Sequence, residues 1–183
     1  MSTTFPGTTV ECSALTPGCS RRLFDGIFAT GGITLSQVCI MTGLEPYLVQ
    51  NWIKRGFITP PKGRVYSREQ FARVVIINML KQALQIDRIC GLIHIIVGTP
   101  DDRSDDLVRD DELYHLYVDM LAEGGIDIGS EDSVREAAVH ATEGFAEPLP
   151  GARKKLCKIL AVMLYAHRSS QLANLSDQIL STI

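Results

Sequence analysis

The chain has 183 residues, 45% of them apolar and 21% charged, a globular composition that excludes a disordered or collagen-like polymer. Its longest apolar stretch, near Ile89, is broken by His94 and falls well short of the ~18 residues of a membrane span, and the polar N-terminus lacks a secretory layout. No membrane partner is expected, and the expected location is cytoplasmic. The net charge of −3 hides two opposed regions: residues 51–81 carry seven basic side chains against one acid (+6), and residues 101–136 carry three against thirteen (−10).

In chain order, residues 1–19 are rich in Ser, Thr, Pro and Gly without apolar periodicity, so a flexible arm is predicted. Leu23, Phe24, Ile27 and Phe28 have helical spacing that stops at Thr30-Gly31-Gly32. Thr34 is a predicted N-cap for a helix over 35–42, which Gly43 ends by tolerating a left-handed backbone. Glu45-Pro46 suits the first turn of the next helix, because proline lacks the N–H that would be orphaned there and glutamate favours the positive dipole end. Leu44, Leu48 and Trp52 recur every four residues and aim one stripe at the preceding helix. Tyr47, Gln50, Asn51 and Lys54 are then left on the opposite face.

Pro60-Pro61 and Gly63 exclude a helix over 57–66 and predict a loop or small hairpin. Ser67 and Gln70 have capping-box spacing, which opens a helix to about residue 84 whose middle is apolar nearly all round and needs cover on several sides. Residues 86–97 form a similar helix, stopped by Gly98 and Pro100. The acidic run 101–106 lacks the glycine and spaced ligands of an EF-hand and is predicted to be a solvated linker, continuing to Asp110 and Asp111 at a helix N-terminus. Leu113, Leu116, Tyr117, Met120 and Leu121 share one helical face, Ser130 caps a helix to about 142, and Glu147-Pro148-Leu149-Pro150 breaks the chain. A last helix is predicted over 153–173, with a further turn or two after Leu175. The fold class is all-α: an arm over 1–19, a helix-turn-helix region over 20–98 and a helical region over 99–183.

Two short helices around a glycine turn, followed by a basic loop, is the layout of a winged helix-turn-helix, whose second helix enters the major groove of double-stranded DNA. Tyr47 and Lys54 suit phosphates, and the Gln50 and Asn51 amides suit adenine edges. Lys62, Arg64 and Tyr66 in the loop are expected on phosphate, with Gly63 allowing close approach, and Arg55 and Arg68 sit at element ends where they could clamp the backbone. Trp52 is read as a core anchor. Five cysteines without a C-x-x-C pair are read as free thiols, with no disulfide framework and no zinc site. Four scattered histidines suggest no ligand set. No cofactor, metal or enzymatic activity is expected.

Thr42-Gly43-Leu44, Trp52-Ile53-Lys54-Arg55-Gly56-Phe57-Ile58, Pro60 and Arg64-Val65-Tyr66-Ser67 resemble the MerR-type DNA-binding module. The run 33–97 more closely resembles a bacterial family of unknown function carrying a MerR-like winged helix-turn-helix. The resemblance implies a transcription regulator in which residues 45–54 form the recognition helix and Arg64 and Tyr66 are the wing contacts. The wing is short, with only Lys62 and Gly63 between Pro61 and Arg64, and the module would pack against a C-terminal helical bundle. The long C-terminal heptad helix by which MerR proteins dimerise is not evident, so homodimerisation is left open, and no small effector is indicated. A sharper reading of the acidic region has it repel DNA and so orient the basic side inward, or fold over that side when DNA is absent. The rival reading is a protein–protein interaction module that keeps the fold without reading DNA.

Overall fold

The computed structural model describes residues 3–97 and 106–183, and the acidic run 101–105 with the predicted stops Gly98 and Pro100 lies outside them. The described chain is mostly helical, with eight helices and four strands of two residues each. At the level of class, this agrees with the all-α expectation.

The arm is the first correction. Strand β1 (Thr3–Thr4) pairs antiparallel with β2 (Glu11–Cys12), and Phe5 is buried in the core. The intervening loop is held from three sides. The Asn78 amide donates to the carbonyls of Gly7 and Thr42, both at 2.9 Å, Tyr114 donates to the Pro6 carbonyl at 2.9 Å, and Thr9 donates through its amide and hydroxyl to the carbonyls of Met41 and Ile40. Gly7 has φ +73°, and a Cβ there would stand 2.4 Å from the Val75 carbonyl oxygen, so only glycine fits. The arm thereby satisfies the orphaned carbonyls at the end of the next but one helix, a use that its composition does not signal.

Helix α1 (Cys19–Ile27) inserts Phe24 among Phe28, Phe71 and Tyr114, with ring centroids 5.4–6.0 Å away. Strand β3 (Ile33–Thr34) leads into α2 (Leu35–Thr42). Thr34 and Gln37 form the reciprocal capping box, and Gly43 closes the helix at φ 68°. Helix α3 (Pro46–Lys54) follows after three residues, and β4 (Val65–Tyr66) returns to pair antiparallel with β3. Helix α4 (Arg68–Leu80) starts at the Ser67–Gln70 capping box and buries eight of its thirteen residues. It ends earlier than predicted, in a turn before α5 (Ile86–Val97).

Helix α6 (Asp110–Glu123) is the centre of the molecule and packs on α1, α4, α7 (Glu131–Ala141) and α8 (Ala152–Leu180). Leu113, Tyr114, Tyr117, Val118 and Met120 are all fully buried, which is wider cover than the single predicted face. One continuous core runs from Phe5 through α4 and α6 to Ala166 on α8. Helix α8 is a second correction. It continues unbroken for 29 residues, because no glycine or proline interrupts it after Ala152, and residues 171–183 are exposed on every side. No described helix is long and apolar enough to cross a membrane.

Candidate nucleic-acid interface

The helical phase of α3, which starts at Pro46, decides which side chains face out. Val49 and Trp52 are buried, Leu44 joins them from the turn, and Leu48, predicted on the inward stripe, is only half-buried. Tyr47 is 65% exposed, and Gln50, Asn51 and Lys54 are exposed beside it on the outer face. The predicted quartet is therefore open to solvent, and Trp52 is a core residue.

The loop after α3 is anchored at its base and twisted at its tip. Ile58 is buried, and the Gln70 amide donates to the Thr59 carbonyl at 2.8 Å while its oxygen accepts from the Ser67 amide, so one side chain both caps α4 and pins the loop. At the tip, Lys62 bridges Val65, whose N–H donates to the Lys62 carbonyl at 3.2 Å. Gly63 and Arg64 between them have φ 60° and 65°, which is a two-residue turn with both central residues left-handed. Arg64 is the one non-glycine with positive φ among the described residues. Glycine, asparagine or aspartate would be at ease there, whereas a long cationic side chain is strained by roughly 1 kcal/mol or more.

Two of the seven cations of residues 51–81 are drawn into the core. Arg68 donates to Asp25 at 2.5 Å and lies 3.6 Å from a buried Asp111 oxygen, and Arg73 donates through Nε and Nη2 to Oδ2 of the buried Asp110, at 3.0 and 2.7 Å. Arg68 is thus a structural tie between α1, α4 and α6. This corrects its reading as a phosphate clamp. Arg55 lies over the Phe57 ring at 4.5 Å and pairs with Asp87 at 3.2 Å, but in an exposed position where such a pair contributes little. Lys54, Lys62 and Arg64 are exposed and have no carboxylate partner among the described residues.

Tyr66 is also corrected. Its side chain is 2% exposed, beneath the β3–β4 pair, and burial pushes its hydroxyl pKa up, so it supports the turn from inside and does not touch phosphate. Asp110 and Asp111, read as solvated, are 6% and 3% exposed. Their cover is explained by the arginines of α4, which pair with them across the core.

A second polar group was not anticipated. Ser20 on α1 stands 2.9 Å from Nδ1 of His115 on α6, both fully enclosed, and burial pushes the imidazole down to about 4. Its Nε2 has no hydrogen-bond partner among the described residues. A serine and a histidine 95 positions apart give no local signal, and their burial makes them a structural contact between two helices. The five cysteines are free, and no group of three or more His, Cys, Asp or Glu among the described residues could hold a metal ion.

Comparison with known proteins covers part of the chain. Residues 35–117 match the family model described as Domain of unknown function (DUF1836). The matched DUF1836 segment takes in α2, α3, the twisted turn, α4, α5 and the first half of α6, so it contains both the exposed α3 face and the Arg73–Asp110 pair. The chain is also 29% identical over 118 residues to Uncharacterized protein YkrK of Bacillus subtilis (strain 168), a match covering 61% of this chain and 51% of that protein. The chain therefore spans about half the length of this relative. No solved structure matches.

Proposed function

We propose that the chain is a sequence-reading DNA-binding protein acting in transcription regulation, with α2 and α3 as a MerR-like helix-turn-helix and the turn 62–65 as a short wing. The observation that carries the reading is the exposed row of Tyr47, Gln50, Asn51 and Lys54 on α3, together with unpaired Lys62 and Arg64 on a strained turn. The amides of Gln50 and Asn51 discriminate bases, each bidentate contact contributing about 1–3 kcal/mol, while the three free cations hold phosphate. The test is duplex binding at several salt concentrations with the full chain. Lys62→Ala and Arg64→Ala should each weaken binding alike on all sequences and shallow the salt slope by about one unit, whereas Gln50→Ala or Asn51→Ala should relax sequence preference. Losses of equal size on every duplex from all four variants would refute this division, and absence of salt-dependent binding would refute the reading.

A homodimer accords with this function. Tyr165, Leu172, Leu175 and Ile179 are exposed on α8 at steps of seven, three and four residues, the spacing by which two like helices form a seam. Light scattering of the full chain tests it: Leu172→Asp with Leu175→Asp should halve the mass while helical content is kept, and a monomeric unaltered chain would remove the dimer. The same stripe favours the second reading, a protein-interaction module. It would be preferred if the chain captured no DNA and stayed monomeric.

A further inference from the structure

Helices α7 and α8 pack on each other and on α6, so their outer faces share one side of the molecule. The end of α7 meets the start of α8: Arg153 donates to the Val139 carbonyl at 2.9 Å, and the Cys157 thiol lies 3.3 Å from the Thr142 hydroxyl. The two helices carry opposite charge at this level. On α7, His140 stands 2.6 Å from Glu123 and 3.9 Å from Glu143, and Glu136 is exposed one turn earlier. The hydrogen bond with Glu123 and the charges of both carboxylates push the imidazole pKa up, as an anionic surface does. On α8, Lys154, Lys155 and Lys158 are exposed and have no carboxylate partner among the described residues. Residues 148–176 hold five Lys and Arg side chains and no acid. The three lysines stand in the first two turns of α8, where the helix dipole disfavours cations, so their placement does nothing for the helix itself. Val139 and Val162, each one turn from these charges, are exposed apolar side chains.

We propose that the two patches form one self-complementary interface with a second copy of the chain, the acids at the end of α7 facing the lysines at the start of the other copy's α8, and the reverse. A two-fold axis running along the helices makes both contacts at once, which is what an isologous interface requires. A polyanion fits this face less well, because it would meet Glu136 and Glu143 beside the lysines. The same axis leaves the two α8 extensions running side by side in one direction, which keeps the seam of Leu172 and Ile179 within the one dimer. The proposal rests on the homodimer reading above, to which it adds the faces that meet; it does not depend on DNA binding.

Sedimentation of the full chain over a range of concentrations tests it. Lys154→Glu with Lys155→Glu and Lys158→Glu should weaken self-association at least about tenfold, and so should Glu136→Lys with Glu143→Lys. Mixed in equal amounts, the two variants should associate as the unaltered chain does, because each then offers the charges that the other needs. Acids suit the first turns of α8 better than the lysines they replace, so a loss of association in the lysine variant does not come from a weakened helix, and circular dichroism checks this. A monomeric unaltered chain would remove the homodimer and this interface together. Charge variants that associate like the unaltered chain, or a mixture that stays apart while Leu172→Asp with Leu175→Asp still separates the chains, would overturn the interface alone. A lysine variant of unchanged mass and weakened duplex binding would also overturn it, by assigning the lysines to phosphate.

Discussion

The outer surface around α3 and the foot of α6 contain the same ingredients in opposite states. On the outside, Lys54, Lys62 and Arg64 are exposed and unpaired; at the foot of α6, Arg68 and Arg73 are drawn inward to Asp111 and Asp110. A regional excess of charge thus overstates what is offered to a polyanion, because part of the basic segment neutralises part of the acidic one through the core. The two sets should respond differently to every perturbation that separates stability from surface charge.

The largest contrast is expected from Arg73→Met, which leaves the Asp110 carboxylate buried without its partner. A loss of about 3–5 kcal/mol in urea unfolding is expected, little altered by salt, against no measurable loss for Lys62→Ala. If both variants unfold alike, the division between structural and free cations fails.

Acid should act on the interior and spare the turn. Burial holds His115 and His167 neutral, each at about 4, whereas both protonate near 6.5 in the unfolded chain. Their contribution is therefore complete above about 6.5 and lost as pH falls towards 4. Asp110, raised to about 6, takes up its proton in the folded chain over part of the same window and offsets one of the two histidines. Tm should fall between neutral pH and about 4, and His167→Gln should flatten the decline. A flat profile in the unaltered chain would contradict the burial of both rings.

Gln70→Ala probes the join between the two regions, since Gln70 belongs to the α4 cap and to the base of the turn. About 1 kcal/mol should be lost, with faster amide exchange at Val65; a loss without that change would mean that the cap matters and the pin does not. The smallest effect has the opposite sign. Arg64→Gly relieves the left-handed strain and should stabilise the chain by about 0.5–1 kcal/mol while weakening duplex binding. A stability loss would show that the arginine is anchored in a way its exposure does not suggest.

Much of the local architecture was legible because its signals are local. Thr34, Gly43, Ser67 and Gln70 sit within one helical turn of the backbone groups beside them, and the bounds of α2 and the start of α4 follow from them. The single long α8 is partly legible: the spacing predicts a helix over 153–173 with a further turn or two after Leu175, and the absence of a glycine or proline after Ala152 lets the two join. Other features depend on partners distant in sequence. Arg73 meets Asp110 across 37 positions, Asn78 meets Gly7 across 71, and the burial of Tyr66 follows from strand pairing with Ile33. For the candidate site, the α3 face could be read from helical phase alone. The sorting of the arginines could not, because residue type does not reveal which way a guanidinium turns.

Arg64 has a consequence for heredity as well as for mechanics. Every arginine codon lies one base change from a glycine codon, and at this position the exchange would relax the backbone. A lineage selected only for a durable fold would drift to glycine here, while one that must grip a polyanion would keep returning to arginine, so the spectrum of tolerated variants at this single site records which pressure the molecule has served.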